Sequence, residues 1–498
     1  MNTSLNVCAH DLGGSSGKMF IGSFDGKRIA LTQVYRYPFS PICTGQDFYW
    51  NIPDVVNHVL NGLRKAGAKC PDLKAFASTG FGNVFVLLDR HGRFFTPSFA
   101  SYSTRMKNVE KDLFSRFSKK SLHRRTGTEI NQNQMLMMLN AYRLNGDQWL
   151  LENAEHVVLH VDALKYFLCG ELASERTAAG ITGLYSASQH NWDKTLAELV
   201  CLSVNQLPAI VEPCTVSGVL SNACSELTDC NPKLQIINAP QHDTAAACFA
   251  LPTTEEMPAF MILGTFALCG IETSTPIIND YTFTASIGNE ANPFGKNKLL
   301  CSARAMWFLD RCLQALPEAC SYAHAVDLAA CEPALRFIID LNDRERFVES
   351  APMPEQIVHY LQETGQGHVE RFSQILRCIF DSIACFAFES FRQLEIASGT
   401  NIMRIFAING GAQNKLIMQT VANITGKPVF AGNFNASSMG VVLSELSALG
   451  ELKSLTEIRE VTGNSTSLLP YYPELCSYRE RAEELLRIIR TANDQQTK

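Results

Sequence analysis

A short apolar segment that runs into a glycine turn and out into a second apolar segment occurs once in each half of this chain. In the first half, residues 5–10 meet the turn at residues 12–14, and residues 19–24 follow it. In the second half, residues 260–271 hold the turn at residues 263–265. Both copies predict strand, tight turn, strand. We interpret them as the trace of a duplicated α/β domain.

The length of the chain agrees with two domains. Its 498 residues exceed the roughly 250–300 residues at which a single core stops growing. We place the domains at residues 1–245 and 246–498. Further strands are predicted at 28–37, 73–77, 234–238, 403–408 and 428–431, and helices after Asn51 and at 243–250, 374–397, 414–425 and 436–449.

Charge and hydropathy exclude several classes of protein. Lysine plus arginine number 43 against 49 acidic residues, a net charge of −6 that repels a phosphate backbone and argues against nucleic acid as a partner. The longest uncharged run, residues 257–271, is shorter than the ~20 apolar residues of a membrane span. Residues 1–10 carry no basic segment typical of a signal peptide, so we expect a cytoplasmic chain without membrane contact.

The first glycine turn has the composition of a phosphate site. Glycine turns after strands expose backbone N–H groups, and here the turn is followed by Ser15, Ser16, Gly17 and Lys18, which supply hydroxyl groups and a cation. Asp11 precedes it and is either a turn residue or a ligand near a metal-bound polyphosphate. No Walker A loop and no G-x-G-x-x-G segment occurs.

Two later segments also have a structural and a functional interpretation. Asp243 precedes three alanines, so it is either the N-cap of a helix or a general base that takes a proton from an attacking hydroxyl group. Gly410 and Gly411 form either a plain strand-to-helix turn or a surface against which an adenine ring lies.

These segments, taken in order, resemble the FGGY carbohydrate kinases, and within them most closely the rhamnulokinases. The likeness covers nearly the whole chain. It is carried by residues 11–18, 85–89, 242–245, 264–265, 275–280, 377–382 and 410–414.

The resemblance implies an α/β fold of two actin-like ATPase (ribonuclease H-like) domains flanking a cleft, with sugar and phosphate groups on the N-terminal side and the nucleotide on the C-terminal side. It implies Asp243 as the catalytic base and Mg²⁺ near Asp11 and Asp243. The nucleotide contacts that it implies are Gly14, Ser15, Ser16, Gly17, Lys18, Gly264, Thr265, Asp310, Gly410, Gly411 and Asn414. The sugar contacts that it implies are Gly82, Arg105, His242, Thr244 and Ser302.

The chain departs from this family on the sugar side. Family members typically have acids where this chain has Thr79, Val84 and Ser103, and an asparagine and a glutamine where it has Ser302 and Asp310. Because specific hydroxyl groups are recognised through such polar partners, we expect a less polar sugar. In this hypothesis Phe81 and Val84 face an apolar group. The alternative is that Asn83, Tyr102 and Arg105 restore ordinary contacts.

The expected function is therefore the ATP- and Mg²⁺-dependent phosphorylation of a small ketose, L-rhamnulose or a close relative, to its 1-phosphate by a monomer or homodimer. One alternative is a kinase for another ketose or deoxy-sugar, such as L-fuculose or L-xylulose. The other is a non-catalytic sensor that binds nucleotide or sugar.

Overall fold

The computed structural model of the chain describes residues 4–45, 47–96, 98–316, 318–348, 351–474 and 477–496. Its strands are β1 (Leu5–Leu12), β2 (Ser16–Phe24), β3 (Ile29–Pro38), β4 (Ile42–Thr44), β5 (Asp47–Trp50), β6 (Ala75–Gly80), β7 (Phe85–Leu88), β8 (Phe94–Thr96), β9 (Ser98–Phe99), β10 (His156–Leu159), β11 (Ser174–Glu175), β12 (Tyr185–Ser186), β13 (Asn191–Trp192), β14 (Ile210–Val211), β15 (Thr215–Val219), β16 (Gln235–Asn238), β17 (Ala259–Leu263), β18 (Phe266–Thr273), β19 (Gly288–Ala291), β20 (Asn297–Arg304), β21 (Ile405–Ile408), β22 (Val429–Ala431) and β23 (Leu469–Tyr471).

The helices are α1 (Ile52–Lys69), α2 (Val109–Arg116), α3 (Lys119–Thr126), α4 (Met135–Leu144), α5 (Gln148–Asn153), α6 (His160–Cys169), α7 (Arg176–Ala179), α8 (Lys194–Leu199), α9 (Asn222–Thr228), α10 (Asp243–Phe249), α11 (Asp280–Thr284), α12 (Met306–Gln314), α13 (Tyr322–Ala330), α14 (Met353–Glu363), α15 (Phe372–Ser398), α16 (Lys415–Thr425), α17 (Ala436–Ala448), α18 (Leu455–Ser465) and α19 (Tyr478–Gln496). Short 3₁₀ turns occur at Thr104–Met106, Val204–Gln206 and Gly410–Gln413. The strands and helices predicted from the sequence are confirmed, with ends that differ by a few residues.

The chain forms two compact units. Unit 1 comprises Met1–Thr254, Thr273–Leu299 and Ala436–Thr466, and unit 2 comprises Glu255–Glu272, Leu300–Asn435 and Ser467–Lys498. Unit 1 thus includes residues 246–254 and two later segments, so the chain passes back and forth between the two units. The functional division at residues 245 and 246 stays a prediction.

Unit 1 is built on a mixed sheet in the order β15-β16-β6-β1-β2-β3. Strands β1 and β2 form an antiparallel hairpin, and β6 lies parallel to β1 on its other side. Helix α17 packs on this sheet, where Gly22 leaves the room that Val442 fills: a Cβ at Gly22 would lie 2.6 Å from a Val442 methyl carbon. The predicted start of α1 is confirmed, since the side chain of Asn51 accepts from the backbone N–H of Asp54.

Unit 2 repeats this arrangement. Strands β17 and β18 form an antiparallel hairpin around the second glycine turn, and β21 lies parallel to β17 on its other side. Strand β22 continues parallel to β21, with β23 antiparallel at the edge. The shared pattern of hairpin plus parallel strand supports the interpretation of the two glycine turns as copies of one domain. Among the described residues, no helix is long and apolar enough to cross a membrane.

Candidate active site

The first glycine turn of unit 1 joins β1 to β2 and leaves its backbone open. Gly13 donates its backbone N–H to the carbonyl oxygen of Ser16 at 3.0 Å, which closes the turn, while Gly14 and Ser15 are exposed. Gly17 is required by packing, since a Cβ there would lie 2.1 Å from the ring of Tyr37. Of the residues predicted to contact phosphate here, Gly14 and Ser15 therefore lie on a short exposed turn, while Ser16, Gly17 and Lys18 begin β2.

Asp11 lies at the end of β1, directly opposite Lys18 in the register of the hairpin. Its Oδ2 accepts a hydrogen bond from the hydroxyl of Ser438 at 3.1 Å. Burial raises the pKa of Asp11, and the charge of Lys18 and the bond from Ser438 oppose that rise. A partly buried carboxylate thus stands beside the exposed turn.

Asp243 is the first residue of α10, and the N-cap is His242, whose side chain makes no capping bond. The interpretation of Asp243 as an N-cap is therefore wrong. Its carboxylate is 32% exposed, and the hydroxyl of Thr244 donates to its Oδ1 at 3.3 Å. Burial first, and then the negative charge of Asp11, raises the pKa of Asp243 to about 7. That value suits a group that takes up a proton near neutral pH.

The backbone before Asp243 is held by a buried acid that sequence reasoning missed. Glu175 is fully buried, and its carboxylate accepts from the backbone N–H of Gln241 at 2.9 Å and from the hydroxyl of Thr177 at 2.5 Å. That hydroxyl accepts in turn from the backbone N–H of His242 at 3.4 Å.

From the other side, the end of β6 fixes the same segment. Thr79 donates its hydroxyl to the carbonyl oxygen of Pro240 at 2.8 Å, and Gly80 donates its backbone N–H to the carbonyl oxygen of Gln241 at 3.0 Å. Residues 240–242 therefore approach Asp243 along one fixed path. The N-capping bonds of Glu175 to α7 are the local signal that could have drawn attention to it.

The carboxyl group of Glu175 predicts a pH dependence of stability. Burial raises its pKa to about 7 from an ordinary value of 4.5. The folded protein then holds a proton that the unfolded chain releases, so this stabilisation is complete below the ordinary pKa and is lost as the pH rises through about 7. The replacement Glu175→Gln puts a side chain at this position that neither gains nor loses a proton in this pH range.

We therefore expect the Tm of the wild type to exceed that of Glu175→Gln most at about pH 5, and the gap to narrow towards about pH 8. Thermal unfolding over this range measures it. Glu226→Gln, the same change on an exposed position of α9, should follow the wild type at every pH. Parallel Tm profiles for Glu175→Gln and the wild type would contradict the raised pKa.

Gly82 and His242 adjoin each other, as predicted for two sugar contacts. A Cβ at Gly82 would lie 2.1 Å from the terminal Cδ1 of Ile181 and 3.7 Å from Cδ2 of His242, so Gly82 packs closely against Ile181 and contacts the imidazole edge. Beside Gly82, the ring of Phe81 packs against Trp50 with ring centres 4.9 Å apart. This surface combines a glycine, an imidazole edge and an aromatic ring.

His242 lies between two carboxylates. Its Nε2 is 3.6 Å from Oδ1 of Asp243, and its Nδ1 is 3.5 Å from Oε2 of Glu290. The same oxygen of Glu290 is 3.3 Å from Nζ of Lys298, which is fully buried. Burial lowers the pKa of His242 to about 4, so the ring is neutral near pH 7. Sequence reasoning missed Glu290 and Lys298.

Arg105, a predicted sugar contact, is engaged in ion pairs. It contacts Oδ2 of Asp47 at 3.2 Å and Oδ2 of Asp147 at 3.1 Å. Ser103 donates to the other oxygen of Asp47 at 2.6 Å. These two carboxylates hold the Arg105 guanidinium in place, and its role as a sugar contact stays a prediction.

Two further positions on the sugar side are buried. Thr79 is 0% exposed, with its hydroxyl bonded to the backbone, and Val84 is 4% exposed within the core. Because Val84 packs within the core, the expectation that it faces an apolar group of the sugar is wrong. Phe81, which is partly exposed, remains available to a ligand.

Unit 2 holds the second glycine turn. Gly264 donates its N–H to the carbonyl oxygen of Phe266 at 2.9 Å, and the carbonyl oxygen of Thr265 accepts from Ala305 at 2.9 Å. Gly411 lies against the end of β17, because a Cβ there would lie 2.4 Å from Cβ of Leu263. The structure thus brings the two predicted nucleotide turns together within unit 2.

The remaining predicted nucleotide residues lie near these turns. Asn414 is buried and caps α16, accepting from Leu416 at 3.0 Å and Ile417 at 3.2 Å, while its amide donates to the hydroxyl of Tyr322 at 3.2 Å. Burial, together with the charge of Asp310, raises the pKa of Tyr322. Asp310 is exposed on α12. Ser302, which the resemblance implies as a sugar contact, lies partly buried on β20. The side-chain oxygen of Asn414 is therefore used to cap a helix.

The predicted metal ligands are two carboxylates of unit 1. Asp11 and Asp243 are close enough for the charge of one to raise the pKa of the other. Carboxylate oxygens are ligands that Mg²⁺ prefers, and Mg²⁺ is usually bound by one or two of them plus phosphate and water. The described residues contain no cluster of three or more such groups. The two carboxylates of Asp11 and Asp243 therefore fit a Mg²⁺ ion whose other ligands are phosphate oxygens and water.

Two family models match this chain in succession. The N-terminal domain of the FGGY family of carbohydrate kinases matches residues 7–250, and the C-terminal domain of that family matches residues 259–449. The chain belongs to the FGGY family of carbohydrate kinases. It is accordingly an ATP-dependent sugar kinase, and the predicted family is confirmed.

Curated relatives give the same result along nearly the full length. A rhamnulokinase of Bacteroides thetaiotaomicron is 30% identical over 470 residues, which cover 94% of this chain and 96% of the relative. A rhamnulokinase of Bacillus subtilis is 26% identical over 466 residues, which cover 94% of this chain and 95% of the relative.

Solved structures confirm the predicted fold class. Xylulose kinase from Lactobacillus acidophilus superposes with a TM-score of 0.79 at 16% identity, covering 99% of this chain and 98% of that one. Glycerol kinase of Plasmodium falciparum with ADP superposes with a TM-score of 0.74 at 14% identity, with the same coverage. The fold is that of the FGGY sugar kinases, the actin-like ATPase fold.

Proposed function

We propose that this enzyme transfers the γ-phosphoryl group of ATP to the primary 1-hydroxyl group of a ketose, L-rhamnulose or a close relative. The observation that carries the proposal is Asp243: a carboxylate whose pKa is raised to about 7, on a fixed backbone, with its Oδ1 3.6 Å from Nε2 of His242, which in turn adjoins Gly82. The rhamnulokinases among its relatives support the choice of sugar.

In this proposal Asp243 accepts the proton of the sugar 1-hydroxyl group as its oxygen attacks the γ-phosphorus. The bond from the γ-phosphorus to the bridging oxygen breaks, ADP leaves and the ketose 1-phosphate forms. His242, neutral near pH 7, and Gly82 contact the sugar, and Thr244 orients the carboxylate through its hydrogen bond at 3.3 Å. Orientation of the attacking oxygen supplies a large share of the rate.

The proposed nucleotide contacts lie on glycine turns. We assign phosphate contacts to Gly14, Ser15, Ser16, Gly17 and Lys18 on the first turn and to Gly264 and Thr265 on the second. We assign adenosine contacts to Gly410 and Gly411 on a third turn, and a nucleotide contact to Asp310. Exposed backbone N–H groups at such turns suit phosphate oxygens. We assign Asn414 an indirect role, since its side chain caps α16.

Asp11 and Asp243 would hold Mg²⁺ in this proposal. The cation would neutralise negative charge on the transferred phosphoryl group. Ser438 keeps Asp11 in place through its bond to Oδ2. We also keep as predictions a cytoplasmic location and a monomeric or homodimeric state.

A panel of ketoses tests the function. We expect ADP release and a ketose 1-phosphate, detected by ³¹P NMR, with the largest kcat/KM for L-rhamnulose or L-fuculose and smaller values for L-xylulose, L-ribulose and D-fructose. A fully hydroxylated ketohexose meets an aromatic ring at Phe81 and loses about 1–3 kcal/mol for each hydroxyl group left without a partner. A preference for D-fructose would contradict the less polar pocket. Sugar binding without ADP release would favour the non-catalytic sensor.

A further inference from the structure

Glu290 is placed by a rigid part of unit 1. It lies on β19, where its neighbour Asn289 is locked by several bonds: the side chain of Asn289 accepts from the backbone N–H of Ile277 at 2.7 Å, and its own N–H donates to the carbonyl oxygen of Gly127 at 2.8 Å. Successive side chains of a strand point to opposite faces. The Glu290 carboxylate therefore projects from a fixed backbone on the face opposite Asn289.

A buried cation holds one oxygen of this carboxylate. Lys298 is 0% exposed, and its Nζ lies 3.3 Å from Oε2 of Glu290 and donates to the carbonyl oxygen of Ala291 at 3.3 Å. An ammonium group buried without an anion is strongly unfavourable. Glu290 is therefore the acidic partner that accompanies the buried side chain of Lys298.

The other oxygen of Glu290 is free. Among the described residues, the carboxylate contacts His242 and Lys298, both through Oε2. Its side chain keeps 16% of its surface exposed. A charged acceptor, anchored through one oxygen and open at the other, is suited to a ligand that carries hydroxyl groups.

Two neighbouring polar atoms at this place lack hydrogen bonds. Nδ1 of His242 and Oε2 of Glu290 are both buried and make no hydrogen bond of proper geometry, although they lie 3.5 Å apart. Buried polar atoms are nearly always bonded in folded proteins. The two unbonded atoms lie on adjoining side chains next to Asp243. Such a pair is expected where a bound molecule completes the hydrogen bonds.

We propose that Glu290 binds the sugar: its free Oε1 accepts a hydrogen bond from a hydroxyl group of the ketose other than the one that is phosphorylated. This inference rests on the proposed function. The positions 79, 84 and 103 hold a threonine, a valine and a serine, so none of them supplies an acid; Thr79 and Val84 are also buried, and Ser103 donates to Asp47. Glu290 makes this pocket selective for a ketose with a hydroxyl group at the position that the carboxylate faces.

The test compares Glu290→Gln with the wild type on the ketose that the enzyme phosphorylates and on its monodeoxy analogues. Loss of a charge-assisted hydrogen bond should raise KM for the ketose about 10- to 100-fold, with kcat and KM for ATP within about twofold of the wild type. The penalty should vanish for the one analogue that lacks the bonded hydroxyl group. An equal penalty on every analogue would mean that Glu290 only supports Lys298, and would overturn the proposal.

Two further variants keep the test decisive. Glu290→Asp keeps an acid beside Lys298, so we expect a Tm close to that of the wild type. Its side chain is one methylene shorter, so the carboxylate lies farther from the sugar and we expect a raised KM for the ketose. Glu198→Gln removes the acid of an exposed pair, 3.7 Å from Lys194, and should leave KM unchanged. If the wild type is active and both Glu290 variants have the same KM for the ketose as the wild type, only this inference is overturned. A wild type that phosphorylates no ketose overturns the proposed function and this inference with it.

Discussion

Replacement of Asp243 by asparagine should lower kcat by about 10²- to 10⁴-fold, the range for loss of a general base. The amide matches the carboxylate in size and can still accept from Thr244, so the start of α10 should be retained. Its nitrogen and oxygen cannot take the proton of the sugar hydroxyl. Steady-state kinetics at saturating sugar and ATP measure the effect.

The same replacement should not lower the thermal stability of the protein, although it lowers kcat. Because the charge of Asp11 raises the pKa of Asp243, removal of the Asp243 charge relieves a repulsion. We expect the Tm of Asp243→Asn above about pH 7 to equal or exceed that of the wild type.

Asp229→Asn is the matched control, since it makes the same change at an exposed helix end with φ 56°, which asparagine accepts. It should leave kcat unchanged. A kcat for Asp243→Asn within about tenfold of the wild type would mean that Asp243 is only the first residue of a helix.

Gly440→Ala should disrupt the enzyme through the packing of two helices. Gly440 on α17 contacts the backbone of α10, and a Cβ there would lie 1.9 Å from the carbonyl oxygen of Ala246 and 2.5 Å from its carbonyl carbon. Backbone atoms cannot rotate away as a side chain does, so α10 must move. Overpacking of this kind costs about 1–3 kcal/mol or more.

Activity should fall as well, because α10 carries Asp243 at its first position. A displacement of about 1 Å at a reacting group can lower the rate about 10²-fold. Thermal unfolding and kcat, measured together, check this expectation.

Gly463→Ala provides the comparison within the same unit. Gly463 lies on exposed surface of α18 with no atom within 4 Å of its Cβ position. Alanine there should stabilise the protein by about 0.5–1 kcal/mol and leave kcat unchanged. If Gly440→Ala has the same Tm and kcat as the wild type, the close packing of α10 against α17 is not required for stability or activity.

The sequence alone predicted the strands and helices around the glycine turns and drew attention to several charged residues of the candidate site. Strands, glycine turns and helix starts depend on contacts between neighbouring residues, so periodicity and turn composition indicate them directly. Asp11, Lys18 and Asp243 stand at the ends of such elements, where local pattern already separates them from other charged residues. The order of these turns along the chain matched the motifs of a known family, which composition alone does not indicate.

Tertiary structure alone decided which charged groups share an environment. Glu175 reaches Gln241 across 66 residues, and Glu290 reaches His242 and the buried Lys298 from a strand that sequence patterns did not single out. Arg105 resembled a sugar ligand, yet Asp47 and Asp147 hold it in ion pairs. A carboxylate has the same side chain whether it pairs with a buried cation, holds a backbone turn or faces a ligand. Only the fold determines its neighbours, and through burial and charge those neighbours determine its chemistry.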